Sequence, residues 1–410
     1  MFKFQEIPPI QLIDHIHMMQ SHWNEETSEY DLSQATIVYS GKNYVVKACE
    51  LEFISSKGIG ICGCVDEMKL KHNPEVRMAV KRVRYTGNED ERKVIEMDVN
   101  TIKNFGYHPN IVKFYCVLNY EGDVCICMEL MDISLDKFYL TAFHHKIDIT
   151  EIFLQRMAID VITALHFLQR NNIIHRDVKP SNILLNRNVI FKLCDFGISG
   201  VIVDSVSKTF NKGCRPYFAP ERISQKGNYN VKSDVWSLGI TFIELTTGLH
   251  PYHGTVFEML KQITSDDIPQ LPANRYSKDM EDFVSRCLTR DVDQRPEYTE
   301  LLLHNWIHML SPYVEDEEMR YTEKIILLHS LETQQIQQLL GSEKTCDLQQ
   351  QVTEIRTTTT KVCAVENHIQ KDDDNQINDS DRQFDHRSDK DNGSEDTGDV
   401  SSDSHEHVEF

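Results

Sequence analysis

Three glycines, Gly58, Gly60 and Gly63, with Val65 close behind them, interrupt a run that otherwise reads as strand on both sides. Glycine at this spacing lets a backbone approach a phosphate closely and reach positive φ. By themselves the glycines would also suit an ordinary turn. A dinucleotide-binding fold would open a helix here and place an acid about 20 residues further on. In this chain a second strand follows instead, and then Met78-Ala79-Val80-Lys81.

The rest of the pattern divides the chain. Between residues 43 and 85 three segments read as strands, YVVKACELEFI, CGCVDEMKL and RMAVKRVR. Residues 89–104 place Val94, Met97 and Ile102 amid charge, a helical spacing. VKFYCVLNY and DVCICMEL read as strands joined at Glu121-Gly122. From Leu135 onward helices are expected at 151–170, 231–247, 254–264 and 279–288. A β-rich start and an α-rich body suggest two lobes with a cleft between them. The first 45 residues read as a loosely structured extension.

Composition narrows the class. The chain has 410 residues, 40% apolar and 26% charged, which suits a globular protein of one to three domains and excludes a wholly disordered chain. Its net charge of −21 argues against sequence-independent nucleic-acid binding or adhesion to anionic lipid. The charge is uneven: residues 371–410 carry 14 acidic and 4 basic side chains, a net of −10, leaving −11 for the rest. That tail holds few large apolar residues and is expected to be disordered, together with the Gln- and Thr-rich stretch from Gly341. No apolar run approaches the length of a membrane span. Glu6, Pro8 and Pro9 break the N-terminal stretch where a signal peptide needs apolar continuity. The eleven cysteines show no disulfide-like or C-x-x-C spacing and are read as reduced thiols of a cytoplasmic chain, with the nucleus also open to it. His15/His17 and His405/His407 lack further ligands at suitable spacing, so no metal site is expected there.

Three more motifs follow the glycines in order: His175-Arg176-Asp177-x-Lys179-x-x-Asn182, Asp195-Phe196-Gly197 and Ala219-Pro220-Glu221. With the glycine loop and Lys81, this set resembles a eukaryotic protein kinase domain over residues about 50 to 310. The implied fold is α+β and bilobal, with a β-rich N-lobe, an α-helical C-lobe and a disordered acidic C-terminal tail. The implied division is an N-terminal extension at 1–48, a kinase domain at 49–310, a C-terminal helical extension at 311–340 and the tail at 341–410.

The resemblance also implies roles, which phosphoryl-transfer chemistry explains as positioning and charge stabilisation. Lys81 would hold the α and β phosphates of ATP, oriented by Glu96, with Glu91 as the rival acid. Asp195 and Asn182 would coordinate Mg²⁺. Asp177 would accept the proton of the substrate hydroxyl, and Lys179 would stabilise the transferring phosphoryl group. Lys57, Gly58, Ile59, Gly60, Ile61, Cys62, Gly63, Cys64 and Val65 would wrap the nucleotide. Val65, Ala79 and Leu184 would sandwich adenine, with Met128 as gatekeeper and Glu129 to Met131 as hinge. Glu221 and Arg295 would form a buried ion pair, and Asp234 would hold the catalytic loop from below.

The strings CMELMDISLDKFY, HRDVKPSNILLN and KLCDFGISGVIVDSVSKTFNKGCRPYFAPERI are similar to MAP kinase kinases, in the branch that activates stress-responsive MAP kinases. Cys194 and Cys214 support that branch. The similarity implies a dual-specificity enzyme acting on Thr and Tyr of a T-x-Y segment in a downstream MAP kinase. It implies activation at Ser205 and Thr209 by an upstream MAP kinase kinase kinase; Ser207, where relatives usually have Ala, leaves the number of sites open. Residues 313–335 resemble the helix by which relatives dock that activator. Three residues depart from the pattern: Lys57 where an apolar residue normally covers adenine, Asn100 one turn after Glu96, and Cys62 at the loop tip. No adjacent basic pair occurs in residues 1–50, so substrate docking through another surface, or weakly, is expected. A Ser/Thr kinase with an unrelated substrate and a pseudokinase scaffold stay open as alternatives.

Overall fold

The computed structural model describes residues 23–24, 29–30, 33–60, 63–84, 107–120, 122–195, 217–223, 230–265, 267–308, 310–311 and 313–340. Glu96, Asn100, Phe196, Gly197, Ser205, Thr209, Cys214, the helical pattern at 89–104 and the acidic tail all lie outside the described residues.

The N-lobe is antiparallel β-sheet. Strands β1 (Trp23–Asn24) and β2 (Glu29–Tyr30) form a small ladder. Strands β3 (Gln34–Tyr39) and β4 (Lys42–Lys47) form a hairpin. Over residues 34–45 this corrects the expectation of a loose extension; residues 1–22 lie outside the described residues. Ser40 and Gly41 both take positive φ, 48° and 76°, the conformation a tight two-residue hairpin turn requires. Ile37 and Val46 face inward at 1% and 0% exposure and join a core with Met68, Val76, Met78 and Leu118. A short 3₁₀ turn, Ala48–Glu50, then separates β4 from β5, so YVVKACELEFI is two strands and not one.

Strands β5 (Leu51–Gly60), β6 (Gly63–Leu70), β7 (Asn73–Arg84), β8 (Phe114–Tyr120) and β9 (Asp123–Met128) form one sheet in the order β5-β6-β7-β9-β8. The glycine stretch is the hairpin between β5 and β6, paired as far as Gly60 opposite Gly63. Gly63 has φ 135°, and a Cβ there would sit 1.8 Å from the carbonyl oxygen of Arg82, so no other residue fits this backbone.

The helical lobe begins after β10 (Ile133–Ser134) with α1 (Leu135–His144) and α2 (Glu151–Arg170). In α2, Phe153, Leu154, Met157, Val161, Leu165 and Leu168 recur at helical spacing and are buried. Each such side chain contributes about 1.5–3 kcal/mol of transfer free energy. Thr150 caps the helix by accepting from the Phe153 N–H at 3.4 Å. Short strands β11 (Ile183–Leu185) and β12 (Phe191–Leu193) pair with β10 in the order β10-β11-β12. Next come α3 (Pro220–Ile223), α4 (Val231–Thr247), α5 (Val256–Thr264), α6 (Lys278–Cys287), α7 (Tyr298–Leu302) and α8 (Asn305–His308). Residues 233–246 of α4 are buried on every face, which makes it the centre of the lobe. Asn230 caps its start, and Gly248, at φ 73°, ends it in the left-handed conformation.

A long final helix, α9 (Asp316–Leu340), returns to pack on α1 and α2. The Arg156 guanidinium holds the Glu318 carboxylate through Nε and Nη2 at 2.5 and 3.0 Å, with both side chains buried. Tyr321 packs its ring against Phe138 and Phe153 and donates its hydroxyl to the Asp148 carbonyl at 2.9 Å. No described helix is long and apolar enough to cross a membrane.

Candidate active site

The pairing of β11 with β12 decides where the acids meet. It sets the loop before β11, residues 175–182, beside the residues that follow β12. The Cys194 N–H donates to the Asn182 carbonyl at 3.0 Å. The Asp177 N–H donates to His175 Nδ1 at 3.3 Å, so Nδ1 accepts and the proton sits on Nε2, 3.1 Å from the Cys194 carbonyl that takes it. Below the loop, Asp234 in the first turn of α4 is wholly buried. Its two carboxylate oxygens accept the His175 and Arg176 N–H groups, both at 2.9 Å. Tyr298 sends its hydroxyl to the Val231 carbonyl at 3.0 Å; burial and the neighbouring Asp234 push that phenol well up.

Two residues of this cluster carry strain. Arg176 and Asp195 have φ 68° and 58°, the left-handed region that side chains disfavour. Such conformations cost on the order of 1–3 kcal/mol each and persist only where the surroundings impose them. For Arg176 that constraint is the Asp234 hydrogen bond; for Asp195 it is the tie of Cys194 to Asn182 and His175.

Three side chains converge ahead of the loop. Lys179 Nζ lies 2.7 Å from Asp177 Oδ2. Asn182 Nδ2 donates to the same oxygen and to the Asp177 carbonyl, both at 2.8 Å. From the sheet above, Lys81 on β7 reaches down to Asp195, with Nζ 2.8 Å from Oδ1. Lys81 is 7% exposed, so this charge sits in a sheltered place. Glu96, expected beside it, lies outside the described residues.

An apolar floor and roof adjoin these charges. Met131, Val112 and Cys194 form a buried cluster against which Met128 and Leu184 pack. In the sheet, Ala79 stands opposite Met128 and Val65 opposite Lys81. Burial pushes the Cys194 thiol well above its ordinary range, so it behaves as a small apolar residue here. Of the hinge residues, Glu129 turns its carboxylate to Lys192 Nζ, at 2.7 and 2.8 Å, and to the Lys113 N–H at 3.0 Å.

Lys57 is partly exposed and ion-paired at the same time. Its ammonium lies 2.8 Å from Glu67 Oε2, and Arg77 holds the other carboxylate oxygen. Burial pushes the Glu67 carboxyl up, but Lys57, Ser55 and Arg77 together outweigh it and hold the group below its usual value. The Lys57 carbonyl accepts from Lys137 on α1, a contact that joins the helical lobe to the glycine hairpin. Glu67, Lys137 and Lys192 were not legible as site neighbours. Each meets a partner far along the chain or across strands, outside any local motif.

Farther out, Arg295 lies at 0% exposure and bonds Glu221 through Nη1 and Nη2 at 2.8 and 3.1 Å. Arg295 also donates to the carbonyls of Lys232 and Thr289, both at 2.8 Å. This ties α3, the start of α4 and the loop after α6 together below the catalytic loop.

This two-lobed arrangement, with a glycine hairpin above and an acid-bearing loop below, defines a phosphotransferase class. The protein kinase domain family matches residues 51–307. The dual specificity mitogen-activated protein kinase kinase sek-1 of Caenorhabditis elegans is 45% identical over 263 residues, covering 63% of this chain and 78% of that relative. Dual specificity mitogen-activated protein kinase kinase 7 of Homo sapiens is 40% identical over 279 residues, and that of Rattus norvegicus 39%, each match spanning 66% of both proteins. The chain belongs to the protein kinase family, among the dual specificity mitogen-activated protein kinase kinases, and is an ATP-dependent enzyme.

Proposed function

We propose that the chain transfers the γ-phosphoryl group of MgATP to Thr and Tyr in the T-x-Y segment of a stress-activated MAP kinase. The observation that carries this reading is the convergence of Lys179 and Asn182 on Asp177, one strand pair away from the Lys81–Asp195 contact. Asp177 accepts the hydroxyl proton of the acceptor residue. Lys179, already on that carboxylate, offers positive charge to the phosphoryl group in transit. Lys81 holds the α and β phosphates, with Glu96 orienting it. Val65, Ala79, Met128, Met131 and Leu184 enclose adenine, and the glycine hairpin covers the phosphates.

The residues present fit Mg²⁺. Asn182 and Asp195 supply hard oxygen donors, the set this ion prefers. Asn182 has its Nδ2 bound to Asp177, which leaves the amide oxygen as its ligand atom. Bound there, the ion would neutralise charge on the phosphates.

The active form in this reading carries phosphates on Ser205 and Thr209, added by an upstream MAP kinase kinase kinase. Each brings about −1.5 to −2 charge, and Arg176 is the basic partner assigned to it. Helix α9 is the docking element for that activator. The enzyme works in the cytoplasm or nucleus, a setting suited to the seven described cysteines, which form no disulfide with one another; imaging of the tagged full chain tests this. For the activity, a Ser205→Asp/Thr209→Asp form is incubated with labelled ATP and inactive stress-activated MAP kinases, and the sites are mapped. Labelling of both T-x-Y residues supports the reading; labelling confined to other segments overturns it.

A further inference from the structure

Helix α1 ends in two consecutive histidines, His144 and His145, and both turn toward Glu332 on α9. His145 Nε2 is 2.9 Å from Glu332 Oε1, and His144 Nε2 is 3.7 Å from the same oxygen. The three ligand atoms all lie within 4.8 Å of one another. A zinc ion with nitrogen and oxygen ligands at about 2.0–2.1 Å in tetrahedral geometry separates neighbouring ligand atoms by about 3.3 Å. The two measured edges bracket that value. The imidazole rings stand nearly perpendicular, at 88°, with centroids 5.1 Å apart.

We propose that His144, His145 and Glu332 form a binding site for a divalent transition metal of the zinc class, which staples α9 to the end of α1. The donor chemistry selects the metal. Two imidazoles and one carboxylate suit zinc and its borderline neighbours, whereas Mg²⁺ and Ca²⁺ take oxygen sets and Cu(I) prefers sulfur. Three protein ligands at a solvent-facing edge leave the fourth position to water, as in open zinc sites.

The ligands are preorganised by contacts that do not depend on the ion. Helix α9 is fixed at its start by Arg156 on Glu318 and by Tyr321 on Asp148. One turn before Glu332, His329 Nδ1 lies 3.2 Å from Thr141 Oγ1 on α1. The C-terminal end of α1 also carries the negative end of its peptide dipoles, which favours a cation there. The consequence is a metal-dependent grip on the C-terminal helix, distinct from the nucleotide site.

The test uses the metal-stripped full chain, titrated with Zn²⁺ alone against a coloured chelator. One equivalent is expected to bind in the wild type. His145→Ala and Glu332→Gln are each expected to weaken that equivalent about tenfold or more. Substitution by Co²⁺ is expected to give visible bands of a four-coordinate nitrogen and oxygen site in wild type and not in His145→Ala. Hydrogen exchange of residues 325–340 is expected to slow on zinc addition, in wild type only. The histidines are exposed, so metal-free melting of the histidine variant should match wild type and separates loss of the ion from loss of the fold. Equal zinc affinity in wild type and both variants would place the ion elsewhere, for instance at His15/His17 or His405/His407, and overturn the proposal. So would no binding at all.

Discussion

The Lys57 ammonium lies 2.8 Å from Glu67 Oε2, immediately before the first glycine of the nucleotide-facing hairpin. An ion pair therefore stands at the edge of a site whose adenine-facing side is otherwise apolar. Replacing Lys57 with Leu gives the hairpin an apolar cover and leaves Glu67 to Arg77 and Ser55. We expect ATP to bind Lys57→Leu several-fold more tightly, at a stability cost of about 1 kcal/mol or less, since Lys57 is partly exposed. Nucleotide titration followed by urea unfolding reads both. Unchanged or weaker ATP binding would show that Lys57 already covers the ring as well as leucine does.

Gly63 sets the end of that hairpin. Its φ of 135° and the 1.8 Å approach to the Arg82 carbonyl leave no room for a side chain. Gly63→Ala is expected to break the local β6–β7 pairing and raise the KM for ATP more than tenfold, while the helical lobe, which packs without it, still unfolds cooperatively. A KM within twofold of wild type contradicts this reading of the backbone.

The buried Glu221–Arg295 pair is expected to carry stability. Glu221→Gln leaves a guanidinium at 0% exposure without its counter-charge. Breaking such a pair costs about 3–5 kcal/mol, and the carbonyls that also hold Arg295 favour the lower end. Chemical denaturation checks it. A loss under about 1 kcal/mol would mean that those carbonyls alone satisfy Arg295.

Two partly buried groups near β12 make opposite pH contributions. Burial raises the Asp160 carboxyl to about 6, although the Phe191 N–H opposes the shift. Its contribution is full below the ordinary carboxylate range and is lost as pH rises through about 6. Burial, and then Lys192, lower His108 to about 4. That contribution is full above the ordinary histidine value and is lost as pH falls toward about 4. In wild type the two slopes oppose each other. Asp160→Asn is therefore expected to gain stability with rising pH more steeply than wild type between about pH 4.5 and 6.5. His108→Gln is expected to do so less steeply. Parallel profiles for all three proteins would rule out both assignments.

Much of the fold was legible because periodicity and punctuation agree locally. Helices α2 and α4 occupy 151–170 and 231–247 as their apolar spacing indicates, with Thr150 and Asn230 as caps and Gly248 as the stop. The β3–β4 hairpin was missed although its signal was present: alternation through Ile37 and Val46 and a Ser-Gly turn. Its burial depends on β8, some eighty residues away, so local reading gave it no core to join. In the site, Asp177, Lys179 and Asn182 lie within one short loop and were read together. Lys81 was read with Glu96 as its partner; its contact with Asp195, across 114 residues, had no local signal. Lys57 on Glu67 crosses the β5–β6 hairpin, while Lys137 on Lys57 and Lys192 on Glu129 are long-range pairings; none has a sequence signature.

The central claim is phosphoryl transfer with Asp177 taking the acceptor's proton. The most direct measurement compares the Ser205→Asp/Thr209→Asp protein with the same form carrying Asp177→Ala, at saturating MgATP, on an inactive stress-activated MAP kinase. General-base catalysis contributes about 10²–10⁴-fold, so the account expects phosphate on both Thr and Tyr of the T-x-Y segment and a loss of at least about 100-fold in the Asp177 variant. Equal transfer by the two proteins would contradict it.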